Sequence, residues 1–203
     1  MKGPFKIVLL GDGCIGKSTF FHKLSTINDT NYMFPKTYNA TDDFNFKRIK
    51  LNTTIGEVIV DLWDTAGQEN KGGLLRDAYL KGADGVLLLY DISEHSTIIN
   101  ISKWLDQIKK VCGKIPVSVI GNKCDKFQDL QQTEAVKLRE CNLARDIGHT
   151  SIKNFLISIK EDTHVESSSS YWSSKINIVE KPGCMIGLEY VLSNILKQVI
   201  NLN

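Results

Sequence analysis

The chain has no long apolar run, no cysteine framework and almost no net charge, and each absence removes a class of function. No stretch of about 18 consecutive apolar residues occurs, so no helix is expected to cross a bilayer. The first residues lack the pattern of a secretory leader. The five cysteines are odd in number and none stand in C-x-x-C spacing, which indicates neither a disulfide framework nor a zinc site. Reduced thiols in the cytosol or nucleus are the expectation. The formal charge is +2 and the basic residues are dispersed, so nothing electrostatic favours nucleic acid or an anionic membrane. His149 and His164 have no partners at metal-ligand spacing. The chain closes on Val199-Ile200-Asn201-Leu202-Asn203, without a terminal cysteine for prenylation, and no lipid anchor is expected.

With 203 residues and 42% hydrophobic content, one domain with a buried core is expected. Short apolar strands alternate with helical stretches, the sequence form of a doubly wound α/β sheet. Strands are expected at 5–10, 86–90 and 117–120, with a hairpin of 43–51 and 57–63 joined through Asn52 to Gly56. Helices are expected at 16–26, 70–80, 130–146 and 186–200. Ile98, Ile101, Leu105 and Ile108 repeat at helical spacing and predict a further helix over 96–111. Residues 147–185 exceed what such a sheet needs and contain the run Ser167-Ser168-Ser169-Ser170, which reads as an inserted loop.

Three segments at strand ends carry chemistry. Gly11-Asp12-Gly13-Cys14-Ile15-Gly16-Lys17-Ser18 is a complete G-x-x-x-x-G-K-[ST] phosphate loop after the apolar run Phe5–Leu10. Its successive backbone N–H groups and the following helix N-terminus form a positive concavity for a polyphosphate. Gly11 and Gly16 let the backbone approach closely, Lys17 reaches the β- and γ-phosphates, and the Ser18 hydroxyl suits Mg²⁺. The second segment, Asp61-Leu62-Trp63-Asp64-Thr65-Ala66-Gly67-Gln68-Glu69, follows Val58-Ile59-Val60. It offers Asp64 to the second shell of Mg²⁺, the Gly67 N–H to a γ-phosphate, and the Gln68 amide to orient a water. The third, Gly121-Asn122-Lys123-Cys124-Asp125, follows Val117–Ile120. There Asp125 can accept from both N1–H and the 2-amino group of guanine, a donor pair that adenine lacks. Cys14 and Cys124 fall inside these segments and read as small side chains packed near the ligand.

Together the three segments resemble the Ras superfamily of small GTPases, across nearly the whole chain. Within it the chain is most similar to the Ran (nuclear-transport) family. Asn70-Lys71-Gly72-Gly73-Leu74-Leu75-Arg76-Asp77-Ala78-Tyr79, Trp104, Val111–Pro116 and Tyr38-Asn39-Ala40-Thr41 carry that likeness. The resemblance implies a single G domain over 1–203, with the insertion inside it and a mostly parallel six-stranded sheet flanked by helices. It implies a switch that binds GTP and GDP with Mg²⁺ and hydrolyses GTP slowly unless a partner activates it. Gly11 through Thr19 (Gly11, Asp12, Gly13, Cys14, Ile15, Gly16, Lys17, Ser18, Thr19), with Thr41 and Gly67, would hold the phosphates. Ser18 and Thr41 would ligate the metal, with Asp64 behind them, and Gln68 would be the catalytic residue. Phe34 would stack on the guanine, and Asn122, Lys123 and Asp125 would bind it. The last guanine motif is either Ser158-Ile159-Lys160, which has the better strand, or Ser173-Ser174-Lys175, which has the closer family continuation; the first is slightly preferred. Thr54-Ile55-Gly56 mimics the switch I sequence but lies in a hairpin turn, too late to reach the metal.

Expected partners are an exchange factor, a GTPase-activating protein and an importin-like or other effector, with the chain a monomer in nucleus and cytoplasm. Rab relatives share the nucleotide motifs but need a membrane anchor, so a Rab-like trafficking GTPase is the alternative. A nucleotide-locked binding module with little hydrolysis is the second. Three features depart from the Ran pattern. Asp42 and Asp43 replace the usual apolar residue and glycine after Thr41, residues 141–155 are nearly neutral where a basic patch is usual, and no acidic tail follows the last helix.

Overall fold

In the first strand, Ile7 and Leu9 bury on one side of the sheet while Val8 and Leu10 bury on the other. A run that is apolar at every position needs cover on both faces, and helices supply it. In the computed structural model, residues 2–26, 44–65, 73–126, 152–161, 163–165 and 185–201 are described. Seven strands form one sheet in the order β2-β3-β1-β4-β5-β6-β7. They are β1 (Lys2–Leu10), β2 (Phe44–Thr53), β3 (Gly56–Thr65), β4 (Gly85–Asp91), β5 (Val117–Asn122), β6 (Ile152–Ser158) and β7 (Thr163–Val165). The inner pairings β3-β1-β4-β5-β6 are all parallel; β2 and β7 close the edges antiparallel.

The described helices are α1 (Lys17–Ser25), α2 (Gly73–Leu80), α3 (His95–Cys112) and α4 (Ile186–Asn201). Phe20 and Leu24 of α1 share one core with Ile7, Leu9, Leu62, Leu87 and Leu188, Val191 and Ile195 of α4. Leu80 of α2 and Ile101, Trp104, Leu105 and Ile108 of α3 share the other with Val8, Leu10, Val86 and Leu88. None of these described helices is long and apolar enough to cross a membrane.

The sheet is α/β, doubly wound and mostly parallel, as expected, but among the described residues it has seven strands rather than six. The extra one, β7, is three residues long and returns antiparallel on β6. Three residues are too few to display a period. The β2–β3 hairpin is tighter than predicted: Thr53 pairs with Gly56, leaving Thr54 and Ile55 as the turn. The range 147–185 holds β6 and β7, so part of it belongs to the sheet. The expected helix at 130–146 lies outside the described residues, as do His149 and the serine run.

From β1 the chain winds first toward β3 and later toward β4 on the other side. Ligands in open α/β sheets bind at such a reversal, beyond the carboxyl ends of the strands. Here the loop that leaves β1 is residues 11–16.

Candidate functional site

The loop between β1 and α1 turns at two positions that only glycine tolerates. Gly11 has φ +132°, and a Cβ there would lie 2.2 Å from the Leu89 carbonyl oxygen. Gly16 has φ +98° and caps α1; a Cβ there would lie 2.5 Å from Asn122 Nδ2. Gly13 and Cys14 are exposed at the crest, whereas Ile15 is buried and anchors the loop in the core. Ser18 and Thr19 occupy the first turn of α1, half-buried.

Lys17 is buried, and its ammonium donates to the Asp12 carbonyl across the loop. Burial lowers its pKa to about 8, opposed by the negative charges of Asp64 and Asp12. Asp64, fully buried near the end of β3, stands in register with Leu9 of β1 and Asn45 of β2. Burial pushes its carboxyl above the usual range, opposed by hydrogen bonds from Ser18 and Asn45 and by the Lys17 charge. Asn45 Nδ2 lies 3.3 Å from Asp64 Oδ2. Oδ1 is buried with no hydrogen-bond partner among the described residues.

A buried carboxylate oxygen without a partner, on the group that Ser18 also touches, fits a hydrated hard cation. Among the described residues no three His, Cys, Asp or Glu side chains cluster to hold a metal by themselves. That donor set suits Mg²⁺, which keeps its waters and takes substrate phosphates rather than an all-protein cage.

The segments expected to read the base follow β5 and end β6. Asn122 Nδ2 donates to the Ile15 carbonyl at 2.9 Å, and Asn122 Oδ1 accepts the Ile159 N–H at 3.2 Å. Lys123, at φ +68°, donates to the Cys14 carbonyl at 2.9 Å and pairs with Asp91 at 2.6 Å. Ser158 Oγ donates to Asp125 Oδ1 at 2.7 Å and accepts the Glu161 N–H at 3.1 Å. Asp125 lies in a 3₁₀ turn, Cys124–Lys126, directly after β5. Lys160 points to solvent and pairs with Glu161 at 3.2 Å. Of the two candidate last motifs, 158–160 therefore lies against Asn122 and Asp125, while Ser173, Ser174 and Lys175 lie outside the described residues. Phe34, Thr41, Asp42, Asp43, Gly67 and Gln68 lie outside them too. Thr54 and Ile55 form the hairpin turn, at the far end of β2 and β3 from Asp64.

Three residues of the site are not evident from the sequence. Asp91 ends β4, and Asp64 stands one residue before the end of β3; a carboxylate at such a strand terminus is the only signal Asp91 gives. Burial raises its pKa, but bonds from Lys123 and Ser93 outweigh this and hold it below the ordinary value. Asn45 is visible only once the hairpin register is known. Asn100, whose amide donates to Asp12 Oδ2 at 3.0 Å, carries no local signature at all.

The described residues thus bring together a glycine-dependent turn at the N-terminus of α1, a buried lysine, an incompletely partnered carboxylate and a second carboxylate held by Ser158. A protein-family model described as the Ras family matches residues 6–177, most of the chain.

Proposed function

We propose that this chain, which belongs to the Ras family of small GTPases, works as a Ran-like GTP-hydrolysing switch in nucleocytoplasmic transport. Membership carries the general activity: a small GTPase binds guanine nucleotide and cycles between GTP and GDP forms. The observation that most supports the reading is the hydrogen-bonded convergence of three loops. Asn122 bonds both Ile15 and Ile159, Lys123 bonds Cys14, and Ser158 bonds Asp125. A phosphate site and a base-reading site are thereby held at one fixed spacing.

In this reading the N–H groups of the loop 11–16 and the α1 N-terminus cradle the phosphates, and Lys17 leaves the Asp12 carbonyl for them. Phe34 stacks on the base, Asp125 accepts its N1–H and 2-amino donors, and a backbone N–H of the Ser158–Lys160 turn meets its O6. Ser18 and Thr41 would hold Mg²⁺, with Asp64 behind them. When bound, Mg²⁺ neutralises charge that develops on the β- and γ-phosphate oxygens. Gln68 orients the attacking water, while Thr41 and Gly67 sense the γ-phosphate and release the switch segments when it leaves.

The Ran-like half rests on sequence: the run Gly72-Gly73-Leu74-Leu75-Arg76-Asp77-Ala78-Tyr79, with Trp104 and Val111–Pro116. Single-turnover hydrolysis tests the switch. Wild type is expected to cleave GTP slowly, and Gln68→Leu to be slower by on the order of tenfold or more. Equal, near-zero rates in both would leave a nucleotide-locked binding module instead. An importin-like carrier should bind the GTP form and not the GDP form; equal binding, or none, removes the transport assignment.

A further inference from the structure

Helix α3 sends three polar side chains to the loops of the site. Thr97, Asn100 and Trp104 are spaced i, i+3 and i+7, so they share one face of the helix. Trp104 Nε1 donates to Asp12 Oδ1 at 2.9 Å, and Asn100 Nδ2 donates to Asp12 Oδ2 at 3.0 Å. Both carboxylate oxygens of Asp12 are therefore engaged by α3, while its carbonyl accepts Lys17. Lys103 Nζ lies 3.0 Å from Asn100 Oδ1 and steadies that amide. At the N-terminal end of the stripe, Thr97 Oγ1 accepts the Asp91 N–H at 3.1 Å. The Asp91 carboxylate holds Lys123, and Lys123 holds the Cys14 carbonyl.

This arrangement answers two difficulties of the loop. A carboxylate within a phosphate-binding loop repels its ligand unless it is turned aside, and Asp12 is held against α3 by two donors. Cys14 adopts φ +61°, a left-handed conformation that a non-glycine residue keeps only when its surroundings enforce it. The enforcing contact is the one from Lys123, which Asp91 fixes. Trp104 would fill the core as well without its N–H, yet that N–H is spent on the loop rather than on a nearby carbonyl.

We propose that the Thr97–Asn100–Trp104 stripe is a positioning device for the phosphate loop, gripping Asp12 directly and Cys14 through Asp91 and Lys123, and that it sets how long the nucleotide stays bound. The proposal rests on the guanine-nucleotide reading above. It makes α3 a lever: whatever tilts this helix loosens the phosphate loop without touching the nucleotide.

Release of a fluorescent GDP analogue tests it in wild type, Trp104→Phe, Asp12→Ala and the double variant. Trp104→Phe keeps an aromatic ring but loses the N–H together with part of the indole, so the cycle with Asp12→Ala isolates the hydrogen bond; release is expected to quicken roughly tenfold, the scale of one charge-assisted hydrogen bond. In the Asp12→Ala background the same substitution is expected to add nothing, because its partner is gone. A core tryptophan of merely structural importance would quicken release equally in both backgrounds, and that outcome, or unchanged rates, overturns the proposal. Should Trp104→Phe fail to fold, Asn100→Leu in the same cycle with Asp12→Ala separates the same two outcomes. A wild type that holds no guanine nucleotide would instead overturn the reading on which the proposal stands.

Discussion

Lys17 is an ammonium buried beside the charges of Asp64 and Asp12, and burial still dominates, since its pKa falls from 10.5 to about 8. That shift corresponds to about 3 kcal/mol of destabilisation of the folded chain at neutral pH. The sign follows from proton counting. Between about pH 8 and 10.5 the unfolded chain holds the Lys17 proton while the folded one has lost it, so this contribution to stability rises with pH. Lys17→Met is accordingly expected to stabilise the nucleotide-free protein at about pH 7.5. The advantage of the variant should shrink by about 2 kcal/mol on moving to about pH 9.5. Urea unfolding of both proteins at both pH values measures this, and comparing the two cancels the cysteines and tyrosines that titrate in the same range. On the function proposed above a triphosphate would supply the charge that this site lacks, so the burial that weakens the fold would strengthen binding.

Among elements, the seating of α4 on the sheet depends on a missing side chain. A Cβ at Gly187 would stand 2.6 Å from Ile120 Cδ1 and 2.8 Å from Ser118 Oγ. Gly187→Ala is expected to cost about 1–3 kcal/mol in urea unfolding by forcing α4 off β5. Nucleotide selectivity should be untouched, because neither neighbour reaches the loops. Of the described elements all but β7 are legible in the sequence, since continuous apolar runs and i, i+3, i+4 spacing are local signals. What is not legible is register and reach. Asn45 meets Asp64 only because the hairpin turn has two residues, and the longer turn expected from Asn52 to Gly56 hides that pairing. Trp104 stands out in the sequence as a family likeness, but its N–H finds a partner 92 positions away, which no periodicity shows. Asp91 belongs to no fixed spacing, although a carboxylate ending a strand is the same clue that identifies Asp64.

At the scale of the molecule, the reversal of winding beside β1 places the phosphate loop where a parallel sheet gathers its strand ends. The loops after β1, β5 and β6 meet there beside the end of β3, which brings residues as far apart in sequence as Cys14 and Ile159 together. On the function proposed above, Asp125 carries the most: a single carboxylate, held by Ser158, would distinguish guanine from adenine. Equilibrium titration of GDP, GTP and ATP into wild type and Asp125→Asn tests it most directly. Wild type is predicted to bind GDP and GTP tightly and to reject ATP, and Asp125→Asn to lose guanine affinity by on the order of 10²–10⁴. If ATP bound wild type as well as GTP, or if Asp125→Asn bound guanine nucleotides unchanged, Asp125 would not be the residue that reads the base and the convergence would have no such role.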